Sequence, residues 1–158
     1  MKYKKEVSAG GIVYRHGKTR EKNSSRNNAG KMVWLITQHS QHRGWGFPKG
    51  LIGDKNSGEK MQEAALREVE EEGGVKAKII SSKPVVVKYK YRFKEYLVDK
   101  TVYYFLMEYV SGDPKNHDWE MMDAKFASEE DVKKTLTYKS DQEAFEKTLV
   151  QLVTPNLV

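Results

Sequence analysis

Glu59-Lys60-Met61-Gln62-Glu63-Ala64-Ala65-Leu66-Arg67-Glu68-Val69-Glu70-Glu71-Glu72, closed by Gly73-Gly74, is the stretch that sets the reading of this chain. At about 100° per residue, a helix over 59–72 gathers Met61, Ala65, Leu66 and Val69 into an apolar stripe that faces a core. The glycine pair supplies its stop. Glu68, Glu71 and Glu72 then share one face at the margin of the stripe, while Glu63 and Glu70 point toward water. Like charges at i, i+4 cost ~0.2–0.5 kcal/mol per pair, and a hard divalent cation relieves that repulsion. Mg²⁺ prefers carboxylate oxygens and shares its shell with substrate phosphates, which suits a few glutamates without cysteine. On these residues alone, an acidic helix face solvated by lysines reads the same way.

Working outward, residues 7–14 read as a strand whose pair Gly10-Gly11 marks a bulge or a close approach by a neighbour. Residues 17–30 hold no apolar anchor and read as a mobile hairpin loop. Residues 31–37 are rich in apolar and β-branched types, as a buried strand requires, and Trp45-Gly46-Phe47-Pro48 reads as a second short one ending at proline. In residues 85–94, Val85, Val87, Tyr89, Tyr91 and Phe93 alternate with Lys88, Lys90, Arg92 and Lys94, giving a strand with one apolar and one basic face. Residues 101–110 are its antiparallel partner, with 94–100 as the connection. Ala124 to Ala127 forms a short strand, Ser128-Glu129-Glu130-Asp131 a capped helix start, and residues 141–153 an amphipathic helix. The order predicts an α+β sandwich with a mixed sheet.

The 158 residues, without a compositional break, predict one domain over 1–158. Charged residues make up 32% of the chain, and no apolar run approaches the ~20 residues that span a bilayer. The first seven residues have no apolar core segment and are not read as a signal peptide. The absence of cysteine removes disulfides, thiolate metal sites and thiol nucleophiles together; the expected location is cytoplasmic. A net charge of +6 favours an anionic partner without choosing among a phosphorylated small molecule, a nucleic acid and a membrane.

The segment Gly53-x5-Glu59-x7-Arg67-Glu68-Val69-x-Glu71-Glu72-x-Gly74-Val75 matches the signature Gx5Ex7REUxEExGU, U being a bulky aliphatic residue, and so resembles the Nudix hydrolases. Nine specified positions agree over 23 residues. One departure stands out: family members enter this box through Pro-x-Gly directly, whereas here Pro48-Lys49-Gly50 is followed by eight residues before Glu59. Gly50 is favoured as the box glycine, with three residues inserted among 53–58; Gly53 is the alternative. Ser8-Ala9-Gly10-Gly11-Ile12-Val13 is similar to the first Nudix strand. Trp45-x-x-Pro48-Lys49-Gly50, residues 100–107, 118–126 and Tyr138-Lys139-x-Asp141 with Phe145-Glu146-Lys147 resemble small microbial diadenosine polyphosphate hydrolases.

The resemblance implies a Nudix α/β/α sandwich, a mixed sheet between helices. It implies Glu71 and Glu72 as metal ligands, Glu68 as ligand or base, the carbonyl of Lys49 as a ligand from the loop, and Arg67 paired with Glu59 to orient the helix. Glu120 is a candidate for a further catalytic and metal-binding carboxylate outside the box. The implied cofactor is Mg²⁺, with Mn²⁺ as a substitute. The implied reaction is hydrolysis of a phosphoanhydride by metal-activated water, diadenosine tetraphosphate giving ATP and AMP, with Glu68 or Glu120 accepting the proton. Arg43, Lys49 and the basic face of 85–94, Lys90 included, are candidates for the remaining phosphates, and Tyr91 for stacking on adenine. Tyr89, Tyr103 and Tyr104 are read chiefly as packing residues, and His39, His42 and His117 are given no role. The expected partner is thus a nucleotide polyphosphate, with neither membrane nor nucleic acid, and the oligomeric state is open. Rival readings are a Nudix pyrophosphohydrolase of nucleoside triphosphates, inositol pyrophosphates or RNA 5′ ends, and an inactive module that binds nucleotide or RNA.

Overall fold

The computed structural model describes residues 1–17, 31–53 and 58–153. Its central strand, β1 (Lys2–His16), pairs antiparallel with β2 (Met32–His39) and β4 (Lys49–Leu51) and parallel with β7 (Tyr96–Gly112). β3 (Trp45–Gly46) and β8 (Met121–Ser128) add to β2, and β5 (Val75–Ile79) and β6 (Val85–Phe93) add to β7. Among the described residues this makes one mixed sheet of eight strands. The helices are α1 (Met61–Gly73), α2 (Glu129–Thr135) and α3 (Lys139–Val153).

Side chains alternate across a strand, so one sheet feeds two cores. Ala9, Val13, Val33, Leu35, Phe105 and Met107 pack with Ala64, Ala65 and Val69 of α1. Their alternates Ile12, Trp34, Ile36, Val102, Tyr104 and Leu106 pack on the opposite face with Val132 of α2 and Phe145 of α3. The expected α/β/α sandwich with a mixed sheet is therefore the fold. The Gly10-Gly11 pair marks a close approach: a Cβ on Gly11 would stand 2.6 Å from a methyl of Val69, so glycine lets α1 lie tight on β1.

Several boundaries differ from the sequence reading. α1 begins at Met61, after an extended Lys60 (ψ 157°) whose N–H donates to Glu63, so Glu59 precedes the helix. The stop is as read: Gly74 is left-handed at φ 73° and its N–H returns to Glu70. The connection expected over 94–100 is only the turn Lys94-Glu95, with Lys94 at φ 54°; Tyr96 already pairs with Phe93. β4 and β5 were not read from the sequence. The loop expected at 17–30 lies outside the described residues beyond Gly17, whose N–H donates to the carbonyl of Lys31 at 3.0 Å. No helix among the described residues is long and apolar enough to cross a membrane.

Candidate active site

Arg67 is the hub of the acidic helix. Its guanidinium donates through Nε (2.7 Å) and Nη2 (2.9 Å) to both oxygens of Glu59, the bidentate geometry that makes such pairs strong. Nη1 donates to Glu68 (2.7 Å) and Glu71 (3.0 Å). Glu59 can reach back in this way because it lies outside the helix, and its side chain is only 3% exposed. Hydrogen bonding to Glu59 raises the Arg67 pKa above its usual range against the cost of burial, with Glu71 and Glu68 assisting. The pairing of Arg67 with Glu59 is thus as expected, and its reach to the other two carboxylates extends it.

Glu68, Glu71 and Glu72 were expected to converge as a ligand set. The structure divides them: Glu68 and Glu71 lean on Arg67, while Glu72 accepts from the backbone N–H of Lys49 at 3.2 Å. Among the described residues no three His, Asp or Glu side chains already enclose a common point. The division follows the guanidinium of Arg67, which holds Glu68 and Glu71. β4 runs close beneath the helix, and a Cβ on Gly50 would collide with the carboxylate of Glu68. Gly53 stands apart, at φ 79° with its N–H donating to Glu59. Burial raises the Glu72 pKa to about 8; the charge and backbone N–H of Lys49 oppose the rise, and Glu68 and Asp118 add to it. Asp118 is docked there by its N–H, which donates to the carbonyl of Glu71 at 2.8 Å.

Glu72 and Lys49 open into a cavity of about 670 Å³ on the α3 side of the sheet. Its wall carries the rings of Phe47, Tyr89, Tyr91 and Tyr138 and the lysines Lys49, Lys90, Lys100 and Lys139. Burial works against the charge of Lys49, but Asp141, Tyr89 and Glu72 outweigh it and hold the ammonium above its usual range. Asp141 is itself fixed by the buried hydroxyl of Tyr104, which donates at 2.9 Å. Lys100 is 3.3 Å from Glu6, which also accepts from Tyr91 Oη at 2.6 Å. His39 and His42 stack with ring centres 4.3 Å apart, and His42 Nδ1 accepts from Gly44 N–H and lies 3.0 Å from Tyr138 Oη.

Of the residues named for the substrate, Lys49, Lys90 and Tyr91 line the cavity, and the Tyr91 hydroxyl is held by Glu6. Arg43 does not: it is exposed in a turn at φ 62°, beside the lining residues His42 and Gly44. Glu120 is half-buried in the loop before β8 and is not part of the wall. Asp118 is the residue of that loop whose charge bears on Glu72. Sequence reasoning gave no role to His39, His42, Asp141, Lys100 and Glu6. Asp141 had a legible signal, since a carboxylate at 141 shares a helical face with Ala144, Phe145 and Thr148, all buried.

Comparison with known proteins places this site in a family. Residues 25–148 match the family model of the NUDIX domain. Over 71 residues, 45% of the chain, the sequence is 39% identical to a provisionally named 8-oxo-dGTP diphosphatase, YtkD, of Bacillus subtilis. The chain spans about two fifths of the length of the curated relatives it matches. In structure it is similar to the Ap4A hydrolase of C. elegans in a binary complex, with TM-score 0.66 and 24% identity, covering 92% of this chain and 98% of that one. It is also similar to the NUDIX domain of Shewanella oneidensis NrtR complexed with ADP ribose, with TM-score 0.64 and 17% identity, covering 94% and 88%. These structural likenesses speak for the fold, while the family match covers more than three quarters of the chain: the chain belongs to the Nudix family.

Proposed function

We propose that this chain is a metal-dependent phosphoanhydride hydrolase whose substrate is a dinucleoside polyphosphate, with diadenosine tetraphosphate and water giving ATP and AMP. The observation that carries the reading is the cavity, where aromatic rings and lysines share one hollow that ends at Glu72 of the acidic helix. Rings match the apolar faces of bases and ammoniums match a polyphosphate chain; a polyphosphate with a base at its end needs both. The likeness to the C. elegans hydrolase supports the same direction.

The donors fit a hard divalent cation, since Glu68, Glu71, Glu72 and the carbonyl of Lys49 offer oxygen alone. The raised pKa of Glu72 is a second sign, because burial, with Glu68 and Asp118 adding to it, outweighs Lys49 and leaves a carboxyl whose ionised form a cation would stabilise. Mg²⁺, or Mn²⁺ in its stead, supplies Lewis acidity toward phosphoryl oxygens and lowers the pKa of water. The chain's own groups do the rest. Arg67 fixes Glu59, Glu68 and Glu71 relative to the helix. Lys49, Lys90 and Lys100 offset the charge of the phosphates that do not react, and Tyr91, with Tyr89 and Tyr138 on the same wall, offers its ring to a base. A carboxylate must accept the proton of the attacking water, and Glu68 and Glu120 are the two proposed for it.

The test is a substrate panel with Mg²⁺ or Mn²⁺, products resolved by chromatography, on the wild type and Glu72→Gln. The expected result is ATP plus AMP from diadenosine tetraphosphate, faster than any triphosphate is cut, with turnover in Glu72→Gln down at least 100-fold, on the order of a lost transition-state contact. Identity to the Bacillus protein favours a second reading, pyrophosphohydrolysis of nucleoside triphosphates such as 8-oxo-dGTP. Faster release of pyrophosphate from a triphosphate would establish that reading instead, and silence across the panel would overturn both.

A further inference from the structure

Beyond the cavity, β6 and β7 run on as a hairpin to the turn Lys94-Glu95, and the first residues of β1 lie alongside. The register sets Tyr91 opposite Val98 and Phe93 opposite Tyr96, and sets Lys2, Lys4 and Glu6 beside Tyr96, Val98 and Lys100. All of these therefore share the face on which Tyr89 and Lys100 line the cavity. Phe93 is 57% exposed although it is a large ring. Lys94 Nζ stands 5.4 Å from its centre, and Lys2 and Lys4 each reach within 5.9 Å of the Tyr96 ring. The acids on this face are engaged, two of them by its lysines: Glu6 is held by Tyr91 and Lys100 with Lys4 at 3.7 Å, and Glu95 lies 3.5 Å from Lys2, exposed ion pairs worth little that a phosphate can replace. What remains is a strip of rings bordered by lysines that leads out of the cavity.

We propose that this strip is a binding surface for single-stranded nucleic acid, with bases on Phe93 and Tyr96 and phosphates on Lys2, Lys4 and Lys94. Non-specific single-strand sites combine stacking rings with a basic track, and Lys2 and Lys4, same-face neighbours on β1, recur at the ~6.6–6.8 Å of a strand, close to the phosphate repeat of an extended polynucleotide backbone. An acidic peptide would satisfy the lysines and leave the Phe93 ring uncovered. An anionic membrane calls for a broad apolar face, whereas here one ring is open among charges. The sequence reading set nucleic acid aside because the intact glutamate set speaks for catalysis, and the register that brings Lys2 and Lys4 of β1 to the ring-bearing face of β6 is not visible in the sequence. The proposal does not depend on the proposed hydrolysis, since binding is read without turnover.

The experiment is fluorescence anisotropy of a 3′-labelled oligoadenylate with a 5′-hydroxyl end, titrated with the full chain in EDTA at several salt concentrations. The expected result is salt-sensitive binding that weakens about tenfold in Phe93→Ala, within the range of one lost stacking contact. In Lys2→Ala/Lys4→Ala the slope of log K against log salt should flatten by roughly 1.4, two phosphate contacts at ~0.7 each. Unchanged melting temperatures and unchanged hydrolysis of small nucleotides would show that the variants fold and keep their cavity. No binding by the wild type at low salt, or equal binding by all three proteins, would overturn the proposal. So would retention on phosphatidylserine vesicles that the same variants abolish while oligoadenylate is ignored, which would make the strip a membrane contact.

Discussion

At the scale of the residue, Glu72 holds a proton that an exposed glutamate gives up, because burial, with Glu68 and Asp118 close by, outweighs the opposing charge and backbone N–H of Lys49. Unfolded, this carboxyl ionises near its ordinary value of 4.5; folded, it ionises at about 8. Between those values the native state binds more protons than the unfolded one, so rising pH favours unfolding. The metal-free protein in EDTA should lose thermal stability as pH rises from 4.5 to about 8 and level off above that. Asp141, whose pKa is also raised by burial, contributes with the same sign, so the readout is the difference between wild type and Glu72→Gln in melts across the series. Identical slopes in the two proteins would show that Glu72 ionises normally. The individual site residues were unevenly legible. Glu59, Arg67 and the three helix glutamates stand out because their spacing is chemical. Lys100 and Glu6 do not, since each is one charge within an alternating strand, and only the register between β1 and β7 brings them together.

At the scale of the element, β4 and the end of α1 each rest on a glycine, for different reasons. A Cβ on Gly50 would meet the Glu68 carboxylate, the movable end of a side chain. Gly50→Ala should therefore leave the melting temperature nearly unchanged while displacing that carboxylate, and a displacement of this kind costs roughly 100-fold in turnover. At Gly74, φ is 73° and a Cβ would stand 2.6 Å from the backbone oxygen of Asp113, which cannot step aside. Gly74→Ala should cost about 1–3 kcal/mol, several degrees of melting temperature in a chain of this size. Paired melts and rate constants separate the two, and a larger loss of turnover in Gly53→Ala than in Gly50→Ala would make Gly53 the box glycine. The elements themselves were read well where periodicity runs long, as in α1, β6 and α3. β5 was missed because Val75-Lys76-Ala77-Lys78-Ile79 is short and two of its five residues are lysine. The start of β7 was misplaced because Lys94 adopts a left-handed turn that the side chain does not announce.

At the scale of the whole molecule, a net charge of +6 and a cavity walled by lysines should draw in a polyanion from a distance. Raising ionic strength from ~0.01 M to ~0.15 M shortens the screening length from ~30 Å to ~8 Å. The second-order constant kcat/KM should fall several-fold over that range with kcat unchanged, as stopped-flow or initial-rate assays would show. A constant kcat/KM would mean that only contact charges matter. The sandwich was legible from the order of elements, but the central position of β1 was not, because alternation identifies a strand without naming its partner. That partner has a consequence for biosynthesis. Every residue of β1 from Lys2 to Tyr14 is matched to a residue of β7 about ninety positions further along the chain. A ribosome adding about 5–20 residues per second leaves Ala9, Ile12 and Val13 without their main neighbour for roughly 5–20 seconds. During that interval the nascent chain presents an apolar strand with open edges, so its yield in a cell should depend on chaperone supply more than the stability of the finished protein would suggest.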